Sequence, residues 1–183
     1  SMGGYSQWLI AHELGHQWWG NLVTCNSFDH IWLNEGFARF SEAIWEEAYN
    51  GFDAYKNYWI NHSYYGAGTI YVENPSNVGQ IFDVNLTYNK AGWVVHMLRG
   101  VMGDSLFFET LKSYGSNDSL AYNSATTENF KNICEDISGL DLHDFFQQWI
   151  YGSHYPRYGV SWDVNNEDEL IVNIEQQQSW QYF

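Results

Sequence analysis

Five residues, His12-Glu13-Leu14-Gly15-His16, constrain this chain more than any others. They lie in the run LIAHELGHQWWGN from Leu9 to Asn21, which reads as a helix. Four positions apart on a helix, His12 and His16 put their imidazoles on one face, one turn above each other. Two ring nitrogens so placed can close on one tetrahedral Zn²⁺. Glu13 falls in the same arc, within reach of a water proton at such a site. From Gly4 to Val23 it is the only charged side chain, and Trp8, Ala11, Gly15, Trp18 and Leu22 form an apolar stripe. A helix apolar almost all round predicts burial. The plain alternative is two core histidines in a chance match. Against it stands Glu13, a carboxylate that is costly to bury without a partner or a task.

A catalytic zinc centre needs a third protein ligand and one open position. The continuation HExxHxxGxxH is excluded, because Trp19 and Leu22 stand where its Gly and last His would be. Downstream, Trp32-Leu33-Asn34-Glu35-Gly36-Phe37-Ala38 offers Glu35 in the spacing HExxH-x18-E. On these two motifs, with the GNLVT filler of Gly20–Thr24, the run His12–Ala38 resembles the aminopeptidase N-like family of gluzincin zinc metallopeptidases, which includes the leukotriene hydrolases. The resemblance implies Zn²⁺ on His12, His16 and Glu35, with Glu13 as the base.

Local chemistry agrees with that assignment. Asn34 is read as the N-cap of a second helix, beside the ligands, which puts Glu35 in the first turn. There the helix dipole favours the ionised carboxylate a metal ligand must be. Phe37, Phe40, Ile44 and Ala48 give this helix a core face, and Gly51 can end it. Glu42 lies seven residues after Glu35, nearly on the same face. It is either a partner that orients a ligand histidine or a solvated helix residue.

Further along, Tyr88-Asn89-Lys90-Ala91-Gly92 resembles the family's Tyr-x-Lys-Gly, with Ala91 displacing the Gly by one place. The resemblance implies that Tyr88 donates its hydroxyl to the oxyanion of the tetrahedral intermediate, a neutral donor where negative charge develops. Tyr88 also shares a stripe with Val95, Leu98 and Met102, as a core residue would, and Tyr71 is a second candidate for the role.

The 22 acidic against 7 basic side chains, a net charge of −15, exclude a nucleic-acid surface. No stretch approaches the roughly 18 apolar residues of a membrane span, so no transmembrane segment is expected. Cys25 and Cys134 match no zinc spacing and are open to one disulfide or two buried thiols. Helices are predicted at about 4–23, 34–49, 52–65, 88–102, 104–115, 127–138 and 141–151. Thr126 or Thr127 is read as the cap of the sixth and Asp141 of the seventh, with a long loop over 66–86. After Pro156 the pattern alternates in Tyr158-Val160-Trp162-Val164 and Leu170-Val172-Ile174, a β-hairpin.

The expected fold is mainly α. Residues 1–155 form the helical, zinc-binding lobe of a thermolysin-like (zincin) catalytic domain, and 156–183 open a truncated β-rich module. The resemblance implies zinc-dependent hydrolysis that removes N-terminal residues from peptides. It also implies an upstream lobe of the same polypeptide, carrying a Gly-x-Met-Glu-Asn-like stretch that reads the free amine and absent from these residues. An epoxide hydrolase on the same site and a zinc-stabilised scaffold are the rival readings.

Overall fold

The apolar positions of Trp32–Asn50 recur on one side of a helix, and that helix is the spine of the molecule. The computed structural model describes residues 6–180. In chain order its elements are α1 (Gln7–Gly15), β1 (Val23–Cys25), α2 (Trp32–Asn50), α3 (Phe52–Asn61), α4 (Val78–Ile81), α5 (Ala91–Met102), α6 (Asp104–Ser116), β2 (Asn123–Ala125), α7 (Thr127–Ser138), α8 (His143–Phe146), β3 (Tyr158–Val164) and β4 (Leu170–Gln176). A 3₁₀ turn covers Phe28–His30, and wide π-type turns cover Val84–Lys90 and Gln147–Tyr151. The mainly α expectation holds.

Helix α2 buries Trp32, Leu33, Phe37, Phe40 and Ala43, and α1, α3 and α5 pack around it. Gly51 ends it at φ 88°, where a Cβ would be strained, and its amide bonds the carbonyl of Glu47. Phe37, Tyr114 and Phe130 meet at the centre of the core. The Phe37 and Phe130 rings are edge to face at 5.0 Å and 88°, the favoured arrangement for such a pair. Arg99 ties three helices together by bonding Glu47 on α2 and Asp104 on α6.

The first helix is shorter than the sequence pattern predicts. Its expected start at residue 4 lies outside the described residues, and it ends at Gly15 rather than near 23. Gly20, at φ 141°, turns the chain back, so that β1 pairs in parallel with β2 from Val23↔Asn123 to Cys25↔Ala125. That pairing joins residues a hundred positions apart and leaves no local mark. Nor is α1 buried all round: Ile10 and Leu14 are more than half exposed.

Other boundaries shift for similar reasons. Helix α2 starts at Trp32, so Asn34 lies inside it and is not its N-cap. The third helix stops at Asn61, and the 66–86 loop contains α4 and the start of the turn that carries Tyr88. Asp83 caps that turn, its Oδ1 accepting from the amides of Asn85 and Leu86. Thr126 caps α7 in a reciprocal capping box with Asn129. Asp141 accepts from the amide of His143 but is not the cap, since Leu142 holds that position, and the helix relaxes into a π-type turn after Phe146.

Cys25 and Cys134 are free thiols in separate clusters, Cys134 in the main core and Cys25 against Ile31, Val72 and Ile81. The expected hairpin forms as β3 and β4, antiparallel from Tyr158↔Gln176 to Val164↔Leu170. Among the described residues no helix is long and apolar enough to cross a membrane.

The 66–86 loop is tied to the helical body at its start. Ile70 and Tyr71 donate to the carbonyl of Ile150, and the buried Lys90 ammonium donates to the carbonyls of Gly68 (2.9 Å) and Gly152 (3.3 Å). Replacing Lys90 with Met removes both donors. The expected loss is about 1–3 kcal/mol, the range for leaving buried acceptors unpaired. Urea unfolding measures it, and an unchanged midpoint would show that water replaces the ammonium.

Candidate metal centre

The two histidines arrive on α1 and the carboxylate on α2. Gly15 lets the helices come close, because a Cβ there would stand 2.9 Å from the Cβ of Ser41. His12 Nε2 and His16 Nε2 each lie 3.3 Å from Glu35 Oε2. The three side chains offer one ligand atom apiece, all within 4.8 Å of one another. Among the described residues this is the only grouping of three such side chains with metal-ligand geometry.

The outward nitrogens fix the tautomers. His12 Nδ1 lies 2.8 Å from Glu42 Oε1, and His16 Nδ1 lies 3.0 Å from the carbonyl of Trp19. A carbonyl only accepts, and so does an ionised carboxylate, so both Nδ1 atoms carry the proton. Both Nε2 atoms are thereby the ones turned toward Glu35 and toward any bound cation, the arrangement seen in metal-ligating histidines. The Gly20 turn is what returns the Trp19 carbonyl to His16.

The same contacts set the charges. Burial works against a charged His12, but hydrogen bonds to Glu35 and Glu42 outweigh it and lift its pKa to about 9. The hydrogen bond to Glu35 raises His16. Burial works against an ionised Glu35, yet the two imidazoles hold it down to about 2. Without a metal, Glu35 thus stays ionised and His12 keeps a second proton at neutral pH, which a binding cation displaces.

Glu13 and Tyr88 line the open side of this grouping, in one cleft with His12. Glu13 is exposed rather than buried as the apolar pattern predicted. The Tyr88 ring stacks on His12 at 5.9 Å and 19°. Burial, then the charge of Glu35, push its phenol up to about 12, so it remains a hydrogen-bond donor at neutral pH. Tyr71 is not in this cleft; its ring sits against His30 and Tyr151.

Glu42 is buried and bonded to His12, not solvated. Asn34 accepts from the amide of Cys25 through Oδ1 at 3.0 Å, which fastens α2 to β1. Two residues at the site were not found from sequence. Arg39 also lines the cleft and bonds both oxygens of Glu42, and Tyr58 reaches Glu42 from α3. The spacing of Arg39 and Glu42, three apart on one helix, is a usable signal. Tyr58 has none, since only the packing of α3 on α2 brings it there.

A model of the Peptidase family M1 domain matches residues 5–149. The aminopeptidase N of Lactococcus lactis subsp. lactis is 32% identical over 180 residues, which cover 92% of this chain and 21% of that protein. The crystal structure of Legionella pneumophila aminopeptidase A in complex with aspartic acid superposes with a TM-score of 0.84 at 21% identity, over 94% of this chain and 20% of that one. A mutant M1 zinc metallopeptidase from Deinococcus radiodurans bound to a Tyr-Ser-Ala substrate gives a TM-score of 0.70 at 25% identity, over 83% and 34%. The chain spans about a fifth of the length of the curated relatives it matches.

Gly36 sets the distance between the ligand helix and the turn that carries Tyr88. A Cβ there would meet the Ala91 Cβ at 2.8 Å and its backbone carbon at 3.2 Å. Gly36→Ala must push α5 from α2, at an expected cost of about 1–3 kcal/mol for overpacking. Urea unfolding checks this; a variant as stable as the parent would mean that the interface has slack.

Proposed function

The chain belongs to peptidase family M1, and from that membership we propose that it is the metal-bearing part of a zinc-dependent aminopeptidase. The observation that carries the reading is the convergence of two imidazole Nε2 atoms and one carboxylate oxygen, with Glu13 and Tyr88 on the open side. Two nitrogens and one oxygen suit Zn²⁺, and three protein ligands with one side open are the pattern of a catalytic rather than a structural site. The purely structural scaffold is disfavoured on that ground. His12, His16 and Glu35 are the proposed ligands. When bound, zinc supplies Lewis acidity, which polarises the scissile carbonyl and makes water acidic at neutral pH.

The chain's own residues do the rest. Glu13 takes the proton of the attacking water and passes it to the leaving amine. Tyr88 donates its hydroxyl to the oxyanion. Glu42 holds His12 in the productive tautomer through Nδ1. Asn34 holds the start of α2, and with it Glu35, against β1.

The substrate is a peptide with a free N-terminus. The support is indirect: the relatives are named aminopeptidases. In this reading residues 1–155 form the helical lobe and 156–183 open a β-rich module. The exposed face of α1, with Ile10 and Leu14, and the Trp18 that follows it, beside Trp45 and Tyr49, receives another part of a longer polypeptide. Relatives several times the length of this chain support that.

Zinc is expected to bind one to one, and Glu35→Ala to abolish tight binding. Metal analysis after dialysis decides; undiminished zinc in that variant would remove Glu35 from the ligand set.

In a polypeptide extended to the length of the relatives, Glu13→Gln should keep its zinc and lose nearly all hydrolysis of an aminoacyl anilide. Tyr88→Phe should lower kcat by about 10²–10³, the worth of one oxyanion donor. Normal turnover in either variant would refute the role given to that residue.

A further inference from the structure

A carboxylate that orients a ligand histidine must itself be held. Glu42 is 3% exposed. A buried carboxylate held by a single bond could rotate away from His12. Here neither oxygen is left to a single partner. Oε1 takes His12 Nδ1 at 2.8 Å and Arg39 Nη1 at 3.1 Å. Oε2 takes the same Nη1 at 3.1 Å and the Tyr58 hydroxyl at 2.9 Å.

The donors are fixed in turn. Tyr58 is 2% exposed, its ring stacked on His62 at 4.2 Å and met edge-on by Trp59 at 5.2 Å. Its hydroxyl has one proton. The carboxylate at 2.9 Å outcompetes the other acceptor in reach, the Arg39 carbonyl at 3.5 Å. Arg39 is held over the Tyr88 ring at 6.0 Å. A guanidinium and a neutral donor thus converge on one buried carboxylate and fix both of its oxygens in place.

We propose that Arg39 and Tyr58 are positioning residues of the metal centre: they lock the Glu42 carboxylate so that it accepts from His12 Nδ1 and turns His12 Nε2 toward the metal. The proposal rests on the zinc reading above. It makes α3, which supplies no ligand, part of the site, and it places the chain's one guanidinium near the ligands behind an acidic partner rather than on the substrate. The competing account is that both side chains merely fasten α3 to α2. The two accounts differ in one respect: a positioning role acts only through Glu42.

The experiment measures zinc affinity of the 183-residue chain by chelator competition, with the visible absorption of the Co²⁺-loaded chain as a second readout. Tyr58→Phe keeps the ring, and Arg39→Lys keeps the charge while losing the planar fork. Urea unfolding of the metal-free variants confirms that each is folded. Each should weaken zinc binding by about threefold to tenfold, less than the 10–100-fold loss usual for a group bonded directly to a ligand histidine. Each should also shift the Co²⁺ bands. In a Glu42→Ala background the same substitutions should have no further effect, the signature of residues that act through a shared partner.

Unchanged affinity and Co²⁺ spectrum in folded single variants would overturn the proposal. So would equal losses with and without Glu42. If the parent chain itself bound no zinc, the metal reading would fall and the proposal with it. Zinc binding that is indifferent to Arg39 and Tyr58 would overturn the proposal alone.

Discussion

Everything at this site depends on one carboxylate held between two imidazoles. Glu35 can sit there only because α1 and α2 pack closely at Gly15 and Ser41, and because each histidine is anchored on its far side. The anchors differ in kind. His16 is tied to a backbone carbonyl that the Gly20 turn brings back, so its geometry belongs to the local chain. His12 is tied to a buried acid, so its geometry belongs to the packing of helices. The grouping attracts cations for the same reason that it is costly to bury: its donors face one another rather than water.

That cost explains the architecture around it. The spine helix α2 carries Glu35, Arg39 and Glu42 on the side facing α1 and α3, and Phe37 and Phe40 in the core. The aromatic cluster of Phe37, Tyr114 and Phe130 makes α2 a rigid platform. Precise placement of ligands is easier on a helix packed in this way than on loops. The one catalytic candidate outside a regular helix, Tyr88, lies on a wide turn, but Lys90 and Asp83 fasten that turn at both ends. The turn therefore has little freedom despite its irregular backbone.

Large apolar side chains also remain outside the core. The exposed face of α1 and one face of the hairpin, with Val160, Trp162, Val172 and Ile174, carry large hydrophobic side chains. In the proposed reading such a patch is where another part of a longer polypeptide packs. It also accounts for the misjudged burial of the first helix. Hydrophobicity all round a helix records every surface that helix meets, and those surfaces need not lie within one stretch of chain.

By itself the sequence picked out the converging His12, His16 and Glu35, the neighbouring Glu13 and Tyr88, the mainly helical fold and the hairpin, because each is written in local spacing or in a short motif. Four- and three-residue intervals map onto one face of a helix, and alternation maps onto a strand. The tertiary structure alone decided four other matters. It ended the first helix early by pairing β1 with β2, moved Asn34 from a cap to a brace on β1, placed Tyr88 and not Tyr71 in the cleft beside His12, and brought Arg39 and Tyr58 to Glu42. Each of these depends on contacts between segments far apart in the chain. Spacing carries no record of such contacts, because the residues that make them meet only after the helices have packed.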